Sequence, residues 1–260
     1  FMPDVGFAVR AAFFSVAVWW GLFSIPLLRS VPEPAPSPSS AGPSALPTAN
    51  VVTEAFQRLS RTFGEIARYR QLLIFLVAFW LYNDGIGTII KMATAYGDEI
   101  GIELNDLIAA LVITQFVGIP CTFLFGVLAR VIGAKRSVLL GLCVYVLISV
   151  GGYHMYTTTH FYILATLVGL VQGGTQALSR SLYTSMIPKT QSAKFFGFYS
   201  TSSRFAGILG PLVFGAISQL TGGSRLSIVS LVFFFLVGGA LLVFVDEKEG
   251  ARVASEEDAK

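Results

Sequence analysis

LIFLVAFWLYNDGIGTII, residues 73–90, is an apolar stretch of near-membrane length with a carboxylate, Asp84, set inside it. A second stretch, FFGFYSTSSRFAGILGPLVFG (195–215), carries Arg204 in the same way. Placing a charge in hydrocarbon costs roughly 2.5 to 3.5 kcal/mol even on lenient insertion scales. Such residues persist where they pair, face water, or handle a solute or proton. These two stretches therefore point to a membrane protein with a polar pathway through it.

The composition agrees. The chain is 54% hydrophobic and 13% charged, with 22 Phe and a mean hydropathy of +0.70. A soluble domain of this size carries about 25% charged residues. The two cysteines, Cys121 and Cys143, fall inside apolar runs and read as small packing residues rather than a disulfide.

A helix needs about 20 mostly apolar residues to cross a bilayer core of roughly 30 Å. Seven segments qualify, at about 9–28, 72–95, 107–129, 137–156, 161–187, 195–220 and 226–245. Barrel strands would be shorter and would alternate strictly, so the expected fold is an all-α membrane bundle. The first segment, VRAAFFSVAVWWGLFSIPLL, reads as a true span because of its length, its Trp19–Trp20 pair and its lack of a small-residue cleavage site. The chain opens on Phe1 and is expected to be a fragment beginning mid-protein.

Loop charge sets the expected orientation. Thirteen Lys or Arg fall in the tail and in the loops between spans one and two, three and four, and five and six, against Arg225 alone on the other side. The C-terminus is thus expected to be cytoplasmic, with Phe1 outside. VPEPAPSPSSAGPSALPTAN (31–50) has linker composition. The following VVTEAFQRLSRTFGEIARYR (51–70) is either an amphipathic surface helix, with Val52, Phe56, Leu59, Phe63 and Ile66 on one face, or a solvated basic loop. The tail 248–260 shows no apolar pattern and is expected to be disordered.

Between spans three and four, GVLARVIGAKRSVLL (126–140) resembles the G-x-L-a-D-r-x-G-r-k motif of the major facilitator superfamily. The resemblance implies gating roles for Gly126, Gly133, Lys135 and Arg136, the basic pair binding helix ends and lipid headgroups. Arg130 stands where that motif usually has Asp, so its acidic salt bridge is not assigned. FWLYNDGIGTIIKMATAYGDEIG (79–101), LVGLVQGGTQALSRSLYTSMIP (167–188) and AKFFGFYSTSSRFAGILGPLVFGAISQLTG (193–222) sharpen the match. They resemble the branch related to the fungal vacuolar amino-acid effluxer and its bacterial homologues. That resemblance implies a partial major facilitator fold: the last helix of the N-terminal half (1–28), a linker (29–70) and the six-helix C-terminal half (71–247). The first five helices would be absent, and the missing half is an expected partner.

The residues themselves point the same way. Asn83 and Asp84, followed by Gly85 and Gly87, place flexible backbone beside a carboxylate, the pattern of discontinuous helices at transport sites. A glycine kink with a structurally paired Asp is the competing reading. Gln172, Gln176 and Arg180 recur at i, i+4 and i+8 with Thr175 and Ser179, making a polar stripe that should face helices or a cavity. Hydrogen bonding between helices suits Thr175 and Ser179; for the two glutamines it competes evenly with solute binding. Arg180, near the span end, is a snorkelling or gating residue. Gly169, Gly173 and Gly174 suit close helix packing. Arg204, roughly 14 Å into its span at 1.5 Å per residue, would grip a solute carboxylate or bridge to Asp84. Pro120 and Pro211 should kink their helices.

The expected activity is secondary transport of a small solute, amino acids being one candidate, by alternating access and with proton coupling as an option. Its partners would be that solute and membrane lipids, without nucleic acid. No cofactor or metal site is expected, and His154 and His160 have no carboxylate or cysteine neighbours in sequence to complete one. The chain lacks a nucleotide-binding fingerprint and a catalytic cluster, so an enzyme is not expected. A seven-span receptor fits less well, and a non-transporting scaffold with a structural Asp and Arg is the main alternative. The expected location is a bacterial inner membrane, or a vacuolar membrane in a fungus.

Overall fold

The computed structural model describes residues 5–30, 60 and 62–259. All its regular elements are helices, with no strand among the described residues. They are α1 (Val5–Ser30), α2 (Arg70–Glu99), α3 (Leu104–Ile132), α4 (Ala134–Tyr153), α5 (Thr158–Ser185), α6 (Ser192–Ala206), α7 (Leu209–Thr221), α8 (Ser224–Val243) and α9 (Glu247–Asp258). Six of them, α1 to α5 and α8, are long and apolar enough to cross a membrane. The protein is an all-α membrane protein.

Helix α1 falls in one unit and the helices from α2 to α9 fall in a second. Within α1, the Trp19 and Phe23 rings lie one turn apart with centroids at 4.4 Å. The 31–50 linker and half of the 51–70 segment lie outside the described residues. Residues 62–66 are helical, with Ile66 buried and Glu65 paired to Lys194 at the start of α6.

In the second unit α3 packs on α5, α5 on α4, α4 on α8, and α8 on both α2 and α7. Lipid tails are as apolar as leucine, so close van der Waals packing rather than water exclusion holds such helices together. Small residues supply it. A side chain at Gly169 would meet the Thr114 carbonyl oxygen at 2.7 Å, and one at Gly174 would enter the Phe125 ring. The three α5 glycines thus let α3 approach closely, as their spacing suggests. At the α3–α4 turn, Gly133 adopts φ +92°, a conformation that L side chains avoid.

The sixth expected span departs from the sequence reading. Residues 195–220 do not form one helix; α6 and α7 are separate pieces joined through Gly207 and Ile208. Pro211 does not kink a continuing helix. It sits in the first turn of α7, where the missing N–H would have had no helical partner. Conversely, the glycine-rich 83–87 segment does not interrupt α2, which runs unbroken through it. Gly85 serves packing instead: a Cβ there would meet the Phe235 ring at 2.9 Å.

The tail also corrects its expectation. Rather than being disordered, it forms α9, capped by the Asp246 carboxylate, which accepts the Lys248 and Glu249 N–H groups at 3.0 and 3.1 Å. Asp246 followed three residues later by Glu249 is a helix-start signature. The docking face is built from small residues, with Gly250 and Ala254 buried and Gly250 against Met186, and so leaves no apolar periodicity to read. At the far end Asp258 accepts the Lys189 N–H at 2.9 Å and the Thr190 N–H at 3.1 Å.

Candidate functional site: a buried carboxylate at a broken helix

The break between α6 and α7 has a backbone origin. The Ile208 N–H turns back to the Ala206 carbonyl at 2.8 Å, taking the acceptor that Gly210 would use in a continuous helix. The first N–H groups of α7 are therefore orphaned, a costly state away from water. Asp84, in the middle of α2, supplies a partner: its Oδ2 accepts the Gly210 N–H at 2.6 Å. A carboxylate also suits the positive end of a helix dipole.

The approach requires glycine. A Cβ on Gly210 would collide with Thr88 Oγ1 and lie 2.9 Å from Asp84 Oδ1. Thr88 is held in place by donating to the Asp84 carbonyl at 2.7 Å. Asp84 itself is 2% exposed. Its second oxygen, Oδ1, is buried with no hydrogen-bond partner. Neither Asp84 nor Arg204 forms an ion pair among the described residues, and Arg204 is exposed. An Asp84–Arg204 bridge is therefore not what the fold uses.

A groove of about 400 Å³ runs from Asp84 along α6 and the start of α7, between Trp80, Leu81, Ser202, Phe205 and Leu209. The Trp80 Nε1–H donates to Ser202 Oγ at 3.2 Å, fixing one wall. Behind it, Tyr199 stacks on Phe79 with centroids at 4.6 Å and lies 4.5 Å from the Tyr183 ring. These rings anchor α6 to α2 and α5 on the side of the break nearer the basic loops.

The other expected site residues are distributed rather than gathered. Asn83 is half-buried beside Asp84. Gln172 lines a separate cavity of about 90 Å³ with Thr94, Thr114, Gln115 and Phe161, while Gln176 is exposed. Ser179 bonds across to Tyr82, their oxygens 2.6 Å apart, whereas Thr175 is buried against Gly141 with its hydroxyl unpartnered. Of the expected gating group, Lys135 donates to the Val243 and Val245 carbonyls at 2.8 and 2.6 Å, capping the end of α8. Arg136 and Arg180 are exposed, and Gly126 faces open space.

Sequence reasoning did not single out Gly210, Trp80, Thr88, Ser202 or Gln115. For Gly210 there was a readable signal, the Gly-Pro pair inside an apolar run, which marks a helix start as well as it marks a kink. Among the described residues no three His, Cys, Asp or Glu side chains come together to hold a metal.

The profile described as vacuole effluxer Atg22 like matches residues 3–255. This chain belongs to that family. The Atg22-like match covers all the helices from α1 to α8 and most of α9, so the Asp84–Gly210 contact lies inside it. Among curated relatives, an uncharacterized MFS-type transporter, YxiO, of Bacillus subtilis is 38% identical over 255 residues, covering 98% of this chain and 58% of the relative. Autophagy-related protein 22-1 of Aspergillus niger is 27% identical, covering 95% of this chain and 43% of the relative. Autophagy-related protein 22 of Coccidioides immitis is 25% identical, covering 96% and 45%. This Atg22-like chain spans about half the length of the curated relatives it matches.

Proposed function

We propose that this chain supplies half of the solute pathway of a secondary transporter working by alternating access. The observation that carries the reading is Asp84: a carboxylate buried in mid-span, with one oxygen on a broken helix and the other without a partner. Broken helices place free backbone groups and helix ends where solutes and ions bind. In this reading Asp84 and Asn83 handle solute or proton, Gln176 lines the pathway and Arg204 faces it, while Gln172 stays in its separate cavity. Lys135, Arg136 and Arg180, with Gly126 and Gly133, form the gate at the basic end.

The same proposal covers setting and partners. The excess of basic loop residues at one end favours a cytoplasmic C-terminus, in a bacterial inner membrane or a fungal vacuolar membrane. The greater length of the relatives supports a second half completing the cavity opposite the exposed Gln176 and Arg204. Amino acids are the first solutes to try, and a proton gradient is the first driving force.

The test is uptake of labelled neutral amino acids into proteoliposomes carrying the full-length protein under an imposed pH gradient. Gradient-dependent uptake lost in Asp84→Asn and Arg204→Leu is the expected result. Unchanged uptake in Asp84→Asn removes the proton role. The scaffold reading draws on the same Asp84–Gly210 bond, which would then be a helix cap and nothing more. It predicts folded protein with no uptake of any solute.

A further inference from the structure

The Asp84 carboxylate has two oxygens in different situations. Oδ2 is committed to the Gly210 N–H, while Oδ1 is buried with no donor. A buried anion with no counter-charge costs several kcal/mol, so the site requires a cation or a proton on Oδ1. The surrounding charges do not supply one. On α2 the nearest is Lys91, seven residues on, about 10 Å along the axis at 1.5 Å per residue, and it is exposed. On α6 it is Arg204, exposed and outside the groove lining. Helix α7 has no charged residue, α8 has only Arg225, in its first turn, and α5, which also packs on α2, has only Arg180, exposed near its end.

The groove that reaches Asp84 is shaped for a particular kind of cation. Trp80 and Phe205 give it aromatic walls, and Thr201 and Ser202 give it hydroxyls. Indole faces attract ammonium groups by about 0.5–2 kcal/mol, more as water is excluded. An anion finds no basic residue in this lining, and a neutral solute leaves the Asp84 charge unmet.

We propose that Oδ1 of Asp84 is an exchange site at which a proton and the ammonium group of an amine-bearing solute replace one another. The inference rests on the transporter reading above and deepens it. In the solute-free state Oδ1 carries the proton. When R–NH3+ enters the groove, the Oδ1–H bond breaks, the proton leaves to water, and the ammonium donates to the freed carboxylate. The pair R–NH3+ and –COO− has the same net charge as the –COOH it replaces, so the membrane interior never holds an unpaired ion. Oδ2 keeps the Gly210 N–H throughout. The consequence is antiport: amine one way, proton the other, with neither able to share the site.

The test uses the full-length protein in detergent and benzylammonium as probe, with benzyl alcohol as its neutral counterpart. Titration calorimetry in two buffers of different ionisation enthalpy counts protons released per probe bound, in the wild type and without any variant. About one proton per benzylammonium is expected, with benzyl alcohol releasing none. One-for-one exchange also weakens amine binding by about tenfold for each unit of acidification while the carboxyl is protonated. Asp84→Asn keeps an acceptor for the Gly210 N–H. It should fold with an unchanged elution profile, lose the proton release, and bind the amine at least about tenfold less tightly. Amine binding without proton release, release that persists in Asp84→Asn, or no amine binding by well-folded wild type each overturns the proposal. Amine-linked proton release in protein that transports nothing would keep the exchange site and remove the transporter reading. Proton-driven uptake of a solute without amine-linked release would do the reverse.

Discussion

Asp84 and Glu99, both on α2, cap two different helices: Asp84 Oδ2 accepts the Gly210 N–H at 2.6 Å, and Glu99 Oε1 accepts the Ser224 N–H at 2.9 Å. Glu99 also bonds the Ser224 hydroxyl. One helix therefore orders the starts of α7 and α8, which follow one another in sequence. The two caps differ in setting, since Asp84 is buried in mid-span whereas Glu99 lies at the exposed end of α2.

Gly210→Ala should destabilise the fold. The added methyl meets Thr88 Oγ1 and Asp84 Oδ1, and overpacking of this kind costs about 1–3 kcal/mol. Thermal unfolding in detergent measures it. Adding Thr88→Ala removes the nearest atom and should recover part of the loss; no recovery would mean the strain lies elsewhere in the α6–α7 connection.

Glu99→Ala should cost about 0.5–2 kcal/mol, the usual range for a lost helix cap. Glu99→Gln keeps an acceptor and should cost less. Hydrogen exchange at the Ser224 and Arg225 amides is the direct readout. Faster exchange there, without change in α2, is the expected pattern.

Lys135→Met should loosen the end of α8, because the Val243 and Val245 carbonyls lose their donor. Hydrogen bonds to a charged group contribute about 1.5–3 kcal/mol when buried, and this one is partly exposed, so the lower end applies. Lys135→Arg retains donors and should restore most of the stability in the same unfolding experiment.

Acid should release α9. The Lys189 and Thr190 N–H groups on Asp258 hold its carboxyl below the usual carboxylate range. The Arg252 guanidinium does the same for Glu249 within the helix. A depressed carboxyl contributes stability that is present above its unfolded value, about 3.9 for Asp, and is lost as pH falls through the folded value. Docking of α9 should therefore be constant near neutrality and weaken below about pH 4. A spin label on α9 reads the release, and Asp258→Asn should dock weakly and without that acid step.

Six of the seven apolar spans and the all-helical class were legible because both depend on a local quantity. An apolar window of membrane length has one stable form in lipid, since only a helix satisfies its own backbone groups. The cost of a charge in that window marks Asp84 without reference to any other residue. The α5 glycines were read correctly as packing contacts for the same reason: small residues at helical spacing suit close approach whatever the partner.

What α2 and the α6–α7 pair do together was not legible, because it joins residues 126 positions apart. Both Gly85 and Gly207 are glycines in apolar runs, yet only the second marks a break. The difference is that Pro211 follows closely and the Ile208 N–H has turned back to Ala206, leaving Gly210 with a free donor. The sequence by itself determined that a carboxylate would lie inside the membrane. Only the tertiary structure decided that its partner is a backbone N–H rather than Arg204, that Gln172 lines another cavity, and that the tail docks as a helix. An orphaned donor is created by the chain's path in space, and which acceptor reaches it depends on how the helices pack.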